Sequence, residues 1–371
     1  MPVNPRDLLA ELIAIDSVNP DLVPGGNGET EIVDFCTEWF KRNDFEVHRL
    51  EQRPGRPSLV AVKKGTGGGK SLMLNGHIDT VGTASYDGDA LKPEVEDGRM
   101  FGRGAFDMKG GVAAMMVAAA KATERPLRGD VIVACVADEE HGSKGTEEVL
   151  TRFTADAAIV TEPSHLEVTL AHKGFVWFDV TVEGKAAHGS RPELGVDAIA
   201  KAGHFLVALE QFSPTTEHHL LGKGTIHASL ISGGEEASTY PSSCKITLER
   251  RTVPGETPAQ VEAELTAILD HLTATVPDFR AELTRTLARD PFEADHDAEI
   301  VKTLIAGLGT PPVIRAEPFW TDCALLDQAG IPCLLFGVDG AGAHAATEYV
   351  DLASLDRLTE ILTGTITDFC G

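Results

Sequence analysis

The segment VIVACVADEE sets an uninterrupted apolar run directly before three adjacent acids, Asp138, Glu139 and Glu140. Such a run reads as a short buried strand, and PSLVAVKK, SLMLNGHID, AAIV and PCLLFGV repeat the pattern elsewhere in the chain. Helical periodicity fills stretches between them, at 5–15, 29–42 and about 108–123. Short apolar strands alternating with helices imply an α/β sheet with helices on its faces, and sheets of that kind gather ligands beyond their strand ends.

Polar residues fall where that rule wants them. His77 follows MLNG, the three acids follow VIVACVA, Glu162 follows AAIV, and His344 lies downstream of PCLLFGV. Asp107 stands on the glycine-rich turn GRGAFDMKGG, just before a helix. Each has a plainer use: a surface imidazole, a solvated acidic turn, and for Asp107 a helix cap. Three like charges at the end of an apolar strand are hard to explain without cations to neutralise them. Imidazoles and carboxylates in this mixture suit a pair of borderline divalent ions, zinc first, with cobalt or manganese as alternatives. Asp79, two residues after His77, is placed to accept the other ring N–H and so select the metal-binding tautomer. Adjacent glutamates allow one to bind metal while its neighbour takes a proton from water.

Composition excludes other classes. A chain of 371 residues with 42% hydrophobic content has material for two cores, so two domains are expected. With 57 acidic and 32 basic residues, a formal charge of −25 repels phosphate backbones and acidic membranes, so no nucleic acid and no membrane is expected as a partner. The start, MPVNPRDLLAELIAIDS, lacks signal-peptide features and reads as an amphipathic helix capped by Asn4. The longest uncharged apolar stretch, 110–120, is too short to span a bilayer. Six dispersed cysteines without a CxxC pair read as reduced core residues of a cytoplasmic protein. GTGGGK is a loop between strands, since no GK[ST] and helix follow it.

From Gly174 a different pattern begins. Strand, helix, strand, strand, helix and strand succeed one another through DFRAELTRTL, the βαββαβ order of a ferredoxin-like unit. The expected organisation is therefore a discontinuous catalytic domain, 1–173 and 286–371, with a central mixed sheet flanked by helices, interrupted by an inserted domain at 174–285.

The motifs GHIDTV, GRGAFDMKGG, DEE, TEP, GKAAHGSRPELG, ERRTVPGE and GAHAATEYV, in this order, resemble the zinc aminoacylase, acetylornithine deacetylase, succinyl-diaminopimelate desuccinylase and glutamate carboxypeptidase family. The resemblance covers nearly the whole chain. It implies a di-zinc domain in which Asp107 bridges two ions, His77 and Glu162 complete one, and His344 and Glu140 the other. It makes Glu139 the general acid/base and Asp79 the orienter of His77, and it implies a cis peptide after Asp107. His188 resembles the histidine that reaches a partner subunit's site to steady an oxyanion, and Arg251 the arginine that clasps a substrate carboxylate. The inserted domain is then a lid that pairs two subunits into a homodimer. Arg250 should alternate to the opposite face from Arg251.

The sequence departs from the family at Ser238 and Thr347, where relatives often carry asparagine. Asp322 matches a TD motif near the site, but is read as the cap of the following helix. Three readings follow. The first is a metal-dependent amide hydrolase that deacylates a small N-acyl amino acid, the second a di- or carboxypeptidase acting on dipeptide-like substrates, and the third a non-catalytic metal-binding scaffold.

Overall fold

A computed structural model describes residues 4–371, so residues 1–3 of the expected first domain lie outside the described residues. The chain divides into two compact units: Met1–Leu170 with Ala294–Arg315 and Thr321–Gly371, and Ala171–Glu293 with Ala316–Trp320.

The first unit is built on a mixed sheet. Its strands run in the order Glu46–Leu50, Ser58–Lys63, Val131–Val136, Leu72–His77, Ala157–Val160, Cys333–Leu335 and Val168–His172. The four strands from Val131–Val136 to Cys333–Leu335 are mutually parallel, while those flanking them run antiparallel. Strands Leu72–His77 and Val131–Val136 are buried at every position, as expected where both faces are covered. Parallel strands end on one side of the sheet, so His77, the acids after Val136 and Glu162 after Val160 all emerge at the same edge.

Helix Lys109–Ala122 is apolar on nearly every side and packs against helices Pro5–Ile13 and Leu352–Cys370, which is why its sequence lacks a polar stripe. Gly111 permits the close seat of its first turn: a Cβ there would lie 2.1 Å from the Thr161 carbonyl oxygen. That contact brings the Asp107 turn against the strand end that carries Glu162. A small antiparallel sheet, Gly340–Ala341, Tyr349–Asp351, Arg99–Phe101 and Glu94–Glu96, sets the loop bearing His344 beside the loop bearing Asp107.

The second unit has the βαββαβ order. Its antiparallel sheet runs Thr225–Gly233, Ser243–Thr252, Gly174–Glu183, Ala281–Arg289, and helices Ala198–Gln211 and Pro258–Thr275 pack with it around a core that includes Phe178, Phe205, Ile246 and Leu265. Gly174–Glu183 alternates buried and half-buried residues, the signature of a sheet with one covered face. Thr257 and Gln260 close a capping box on the second helix, with Pro258 in its first turn.

The unit boundaries fall at 170/171 and 293/294, not at 173/174 and 285/286, and a second, short segment joins the second unit. Strand Ala281–Arg289 runs past the expected end, and Phe292–Glu293 pairs with His172 and Ala171. Ala316–Trp320 belongs here because Lys173 N donates to the Glu317 carbonyl at 3.1 Å and the Trp320 ring meets Phe175.

Candidate metal centre

Six side chains from distant parts of the first unit converge. His77 Nε2 lies 3.1 Å from Asp107 Oδ1, 3.4 Å from Glu162 Oε1 and 4.0 Å from Glu139 Oε2. His344 Nε2 lies 3.3 Å from Asp107 Oδ2 and 3.0 Å from Glu140 Oε2. The two oxygens of Asp107 thus face two imidazoles. Ligand atoms of His77, Glu139 and Glu162, and of His77, Asp107 and Glu140, lie within 4.8 Å of one another. The peptide bond between Asp107 and Met108 is cis.

Electrostatics describe a cluster short of positive charge. Burial, then the neighbouring Glu162, pushes the Glu139 carboxyl well above the usual range. Glu162 is also pushed well above it, by burial first and then Asp107, against the pull of His77. Burial and Asp107 raise Glu140 too. The Asp107 carboxyl is held low, because hydrogen bonds from His344 and His77 outweigh its burial. Donating to Asp107 and Glu140 in turn pushes His344 up to about 10. Burial opposes a charge on His77, yet the surrounding carboxylates raise it well above its usual value. Buried Glu140 Oε1 has no hydrogen-bond partner. Imidazole nitrogen with carboxylate oxygen is a donor set that fits two divalent ions.

The supporting residues differ in part from expectation. His77 Nδ1 lies 3.0 Å from the main-chain carbonyl of Asp79, and the Asp79 carboxylate stands farther off at 3.6 Å. That carboxylate instead accepts the backbone N–H groups of Glu139 and Glu140, at 3.2 and 3.3 Å, and the Asn19 amide at 2.7 Å. Asp79 thus orients both halves of the DEE turn. Asp138, grouped with the other two acids in the sequence, turns away: its φ is 68° and it pairs with buried Arg56 at 3.0 Å. Asp322 makes no capping hydrogen bond; it accepts from Thr146 Oγ1 at 2.6 Å, and its charge helps to raise Glu139 and Glu162.

Sequence reasoning missed Glu348, Arg103, Asn19 and Arg56. Glu348 and Arg103 sit inside the motifs HAATE and GRGAFD, and their only local signal is a charge amid small residues.

His188 and Arg251 belong to the second unit, and the imidazole–carboxylate cluster to the first. His188 is exposed, and its Nδ1 accepts from Ser190 N–H at 3.2 Å. Arg251 is half-buried; its Nε donates to Glu249 at 2.7 Å and its guanidinium lies 5.2 Å from the centre of the Phe175 ring. Arg250 is fully buried against Glu256, on the opposite face as the alternation requires.

Residues 73–368 match the model of peptidase family M20/M25/M40. The chain is 32% identical to an acetylornithine deacetylase from Myxococcus xanthus, over 99% of this chain and 97% of that protein. Among solved structures, a tripeptidase from Staphylococcus aureus superposes with a TM-score of 0.82 at 22% identity, covering 100% of both chains. A dinuclear metal-binding peptidase of the M20 family from Bacillus subtilis gives 0.77 at 16% identity, over 99% of this chain and 97% of the other. Sequence match, fold and clustered donors agree with the motif resemblance: the chain belongs to peptidase family M20/M25/M40 and is a metal-dependent amide hydrolase.

Proposed function

We propose that this protein removes the acyl group from an N-acyl amino acid with a free carboxylate, as the acetylornithine deacetylase reading implies, using two zinc ions. His77 and Glu162 would hold one ion, His344 and Glu140 the other, with Asp107 bridging. The observation that carries the reading is the pair of Asp107 oxygens, each directed at a different imidazole, with Glu139 alongside. When bound, two divalent cations supply the positive charge that makes water acidic and that stabilises a developing oxyanion.

The chain's own residues do the rest. Glu139 takes a proton from the attacking water as its oxygen bonds to the amide carbon, and delivers that proton to the nitrogen as the C–N bond breaks. Acid and amine leave, and Glu139 is restored as a carboxylate. The Asp79 carboxylate, by holding the N–H of both Glu139 and Glu140, fixes the aim of base and ligand together. Arg251 is the group for the substrate carboxylate and His188 for the oxyanion. Ser238 and Thr347 distinguish its acyl and amine preferences from those of asparagine-bearing relatives.

The second unit is the lid and pairing domain of a homodimer. Supporting this, Thr225–Gly233 is an edge strand with Leu230 and Ile231 exposed, and Ile199 and Val207 are exposed on helix Ala198–Gln211. A cytoplasmic site of action fits six buried free cysteines. No described helix is long and apolar enough to cross a membrane.

The test is a panel of N-acetyl, N-formyl and N-succinyl amino acids beside unblocked di- and tripeptides, each offered to the zinc-loaded protein. Release of the acid from an N-acyl amino acid, with peptides uncut, is the expected result. Preference for unblocked peptides would replace the deacylase reading by a peptidase one.

A further inference from the structure

Asp107 and His344 sit on different loops, and one buried pair joins those loops. Strands Arg99–Phe101 and Tyr349–Asp351 pair in register Phe101↔Tyr349, so the turns next to them, 102–107 and 342–348, lie side by side. Glu348, wholly buried, spends both carboxylate oxygens across this gap. Its Oε1 accepts from the backbone N–H of Phe106 and of Asp107, each at 3.0 Å. Its Oε2 accepts from Gly104 N–H at 3.0 Å and from Arg103 Nη1 at 2.8 Å. The second arm of Arg103 then reaches back, Nη2 donating to the Ala345 carbonyl at 3.0 Å. Ala345 follows His344, whose φ of 60° is a left-handed conformation that a residue with a side chain holds only when its surroundings enforce it.

We propose that Glu348 and Arg103 are a positioning pair that locks the Asp107 turn to the His344 turn and so sets the spacing of the two cation sites; this rests on the metal reading above. Glu348 acts through the main chain of Asp107, and Arg103 through the main chain beside His344. A buried ion pair contributes little net stability once desolvation is counted, so the consequence of this one lies in what it orients. Glutamine at 348 would keep the shape but turn an NH2 group toward N–H donors, leaving one turn unheld. Lysine at 103 would keep the charge but lacks the fork that reaches Glu348 and Ala345 together.

The experiment compares the unaltered chain with Glu348→Gln and Arg103→Lys. Equilibrium zinc affinity is measured by chelator competition, and the visible spectrum after loading with cobalt(II) chloride reports ligand geometry. Melting temperature is recorded alongside. Zinc binding weaker by about tenfold or more, with a changed cobalt spectrum in the folded variants, is the expected result. A structural pair without a positioning role would lower the melting temperature and leave affinity and spectrum as they were; that outcome in either variant overturns the inference. If Glu348→Gln does not fold, Arg103→Lys decides alone. Failure of the unaltered chain to bind two divalent ions would reject the metal reading instead.

Discussion

His77 and His344 face the same aspartate from opposite supports. The His77 side chain is 1% exposed, stands at the end of a fully buried parallel strand, and has its Nδ1 beside the Asp79 carbonyl. The His344 side chain is 56% exposed and rides on a loop in a left-handed conformation. One half of the centre is thus fixed by a hydrogen-bonded sheet that folding must form anyway. The other depends on side-chain bonds between loops, chiefly those of Glu348 and Arg103. A sheet edge supplies rigidity to a site, and loops complete it.

The largest effect should come from the group beside the sheet-borne histidine that has no assigned place as a ligand. Glu139→Gln is expected to lower kcat by about a thousandfold while two zinc ions remain bound, measured as turnover against metal content. Near-normal turnover would remove Glu139 from the mechanism. Next, His77→Ala and His344→Ala should both impair metal binding but differ in stability. With a chelator present, urea unfolding should show a loss of about 3 kcal/mol for His77→Ala, which strands buried carboxylates, and of about 1 kcal/mol or less for His344→Ala. Equal losses would erase the contrast between sheet and loop.

A smaller effect concerns pH. The carboxyls of Glu139, Glu140 and Glu162 are raised above the unfolded value of 4.5, and the imidazoles of His77 and His344 above 6.5. Each group then binds more protons in the native state, so its stabilising contribution is complete below the unfolded pKa and fades as pH rises toward the folded one. Chelated protein should therefore lose stability steadily between pH 5 and about 7.5. Zinc-saturated protein, with cations in place of protons, should show a weaker slope. Parallel melting curves would check this.

Much of the site was legible because it follows chain periodicity. Strand ends announced His77, Glu140 and Glu162, and the two-residue alternation separated buried Arg250 from half-buried Arg251. What escaped was long-range. Arg103 and Glu348 are 245 positions apart, and Asn19 and Asp138 are 119 apart, so no local pattern records their hydrogen bonds. Asp322 misled because TD before a helix looks like a cap; its backbone is itself helical, and its carboxylate accepts from Thr146, 176 residues away. Asp138 misled because adjacency in sequence is not adjacency in space: a left-handed residue turned it toward Arg56. The domain edges moved because strands outrun their apolar cores, and a short returning segment has no periodicity to mark it.

The central claim, a cation pair bridged by one carboxylate, meets its most direct test in metal stoichiometry. Asp107→Ala and His344→Ala are dialysed against zinc beside the unaltered chain, and bound metal is counted by elemental analysis. Two ions per chain are expected for the unaltered protein, one for His344→Ala, and loss of both tight sites for Asp107→Ala, since that side chain serves each half. Retention of two tightly held ions without Asp107 would contradict the account.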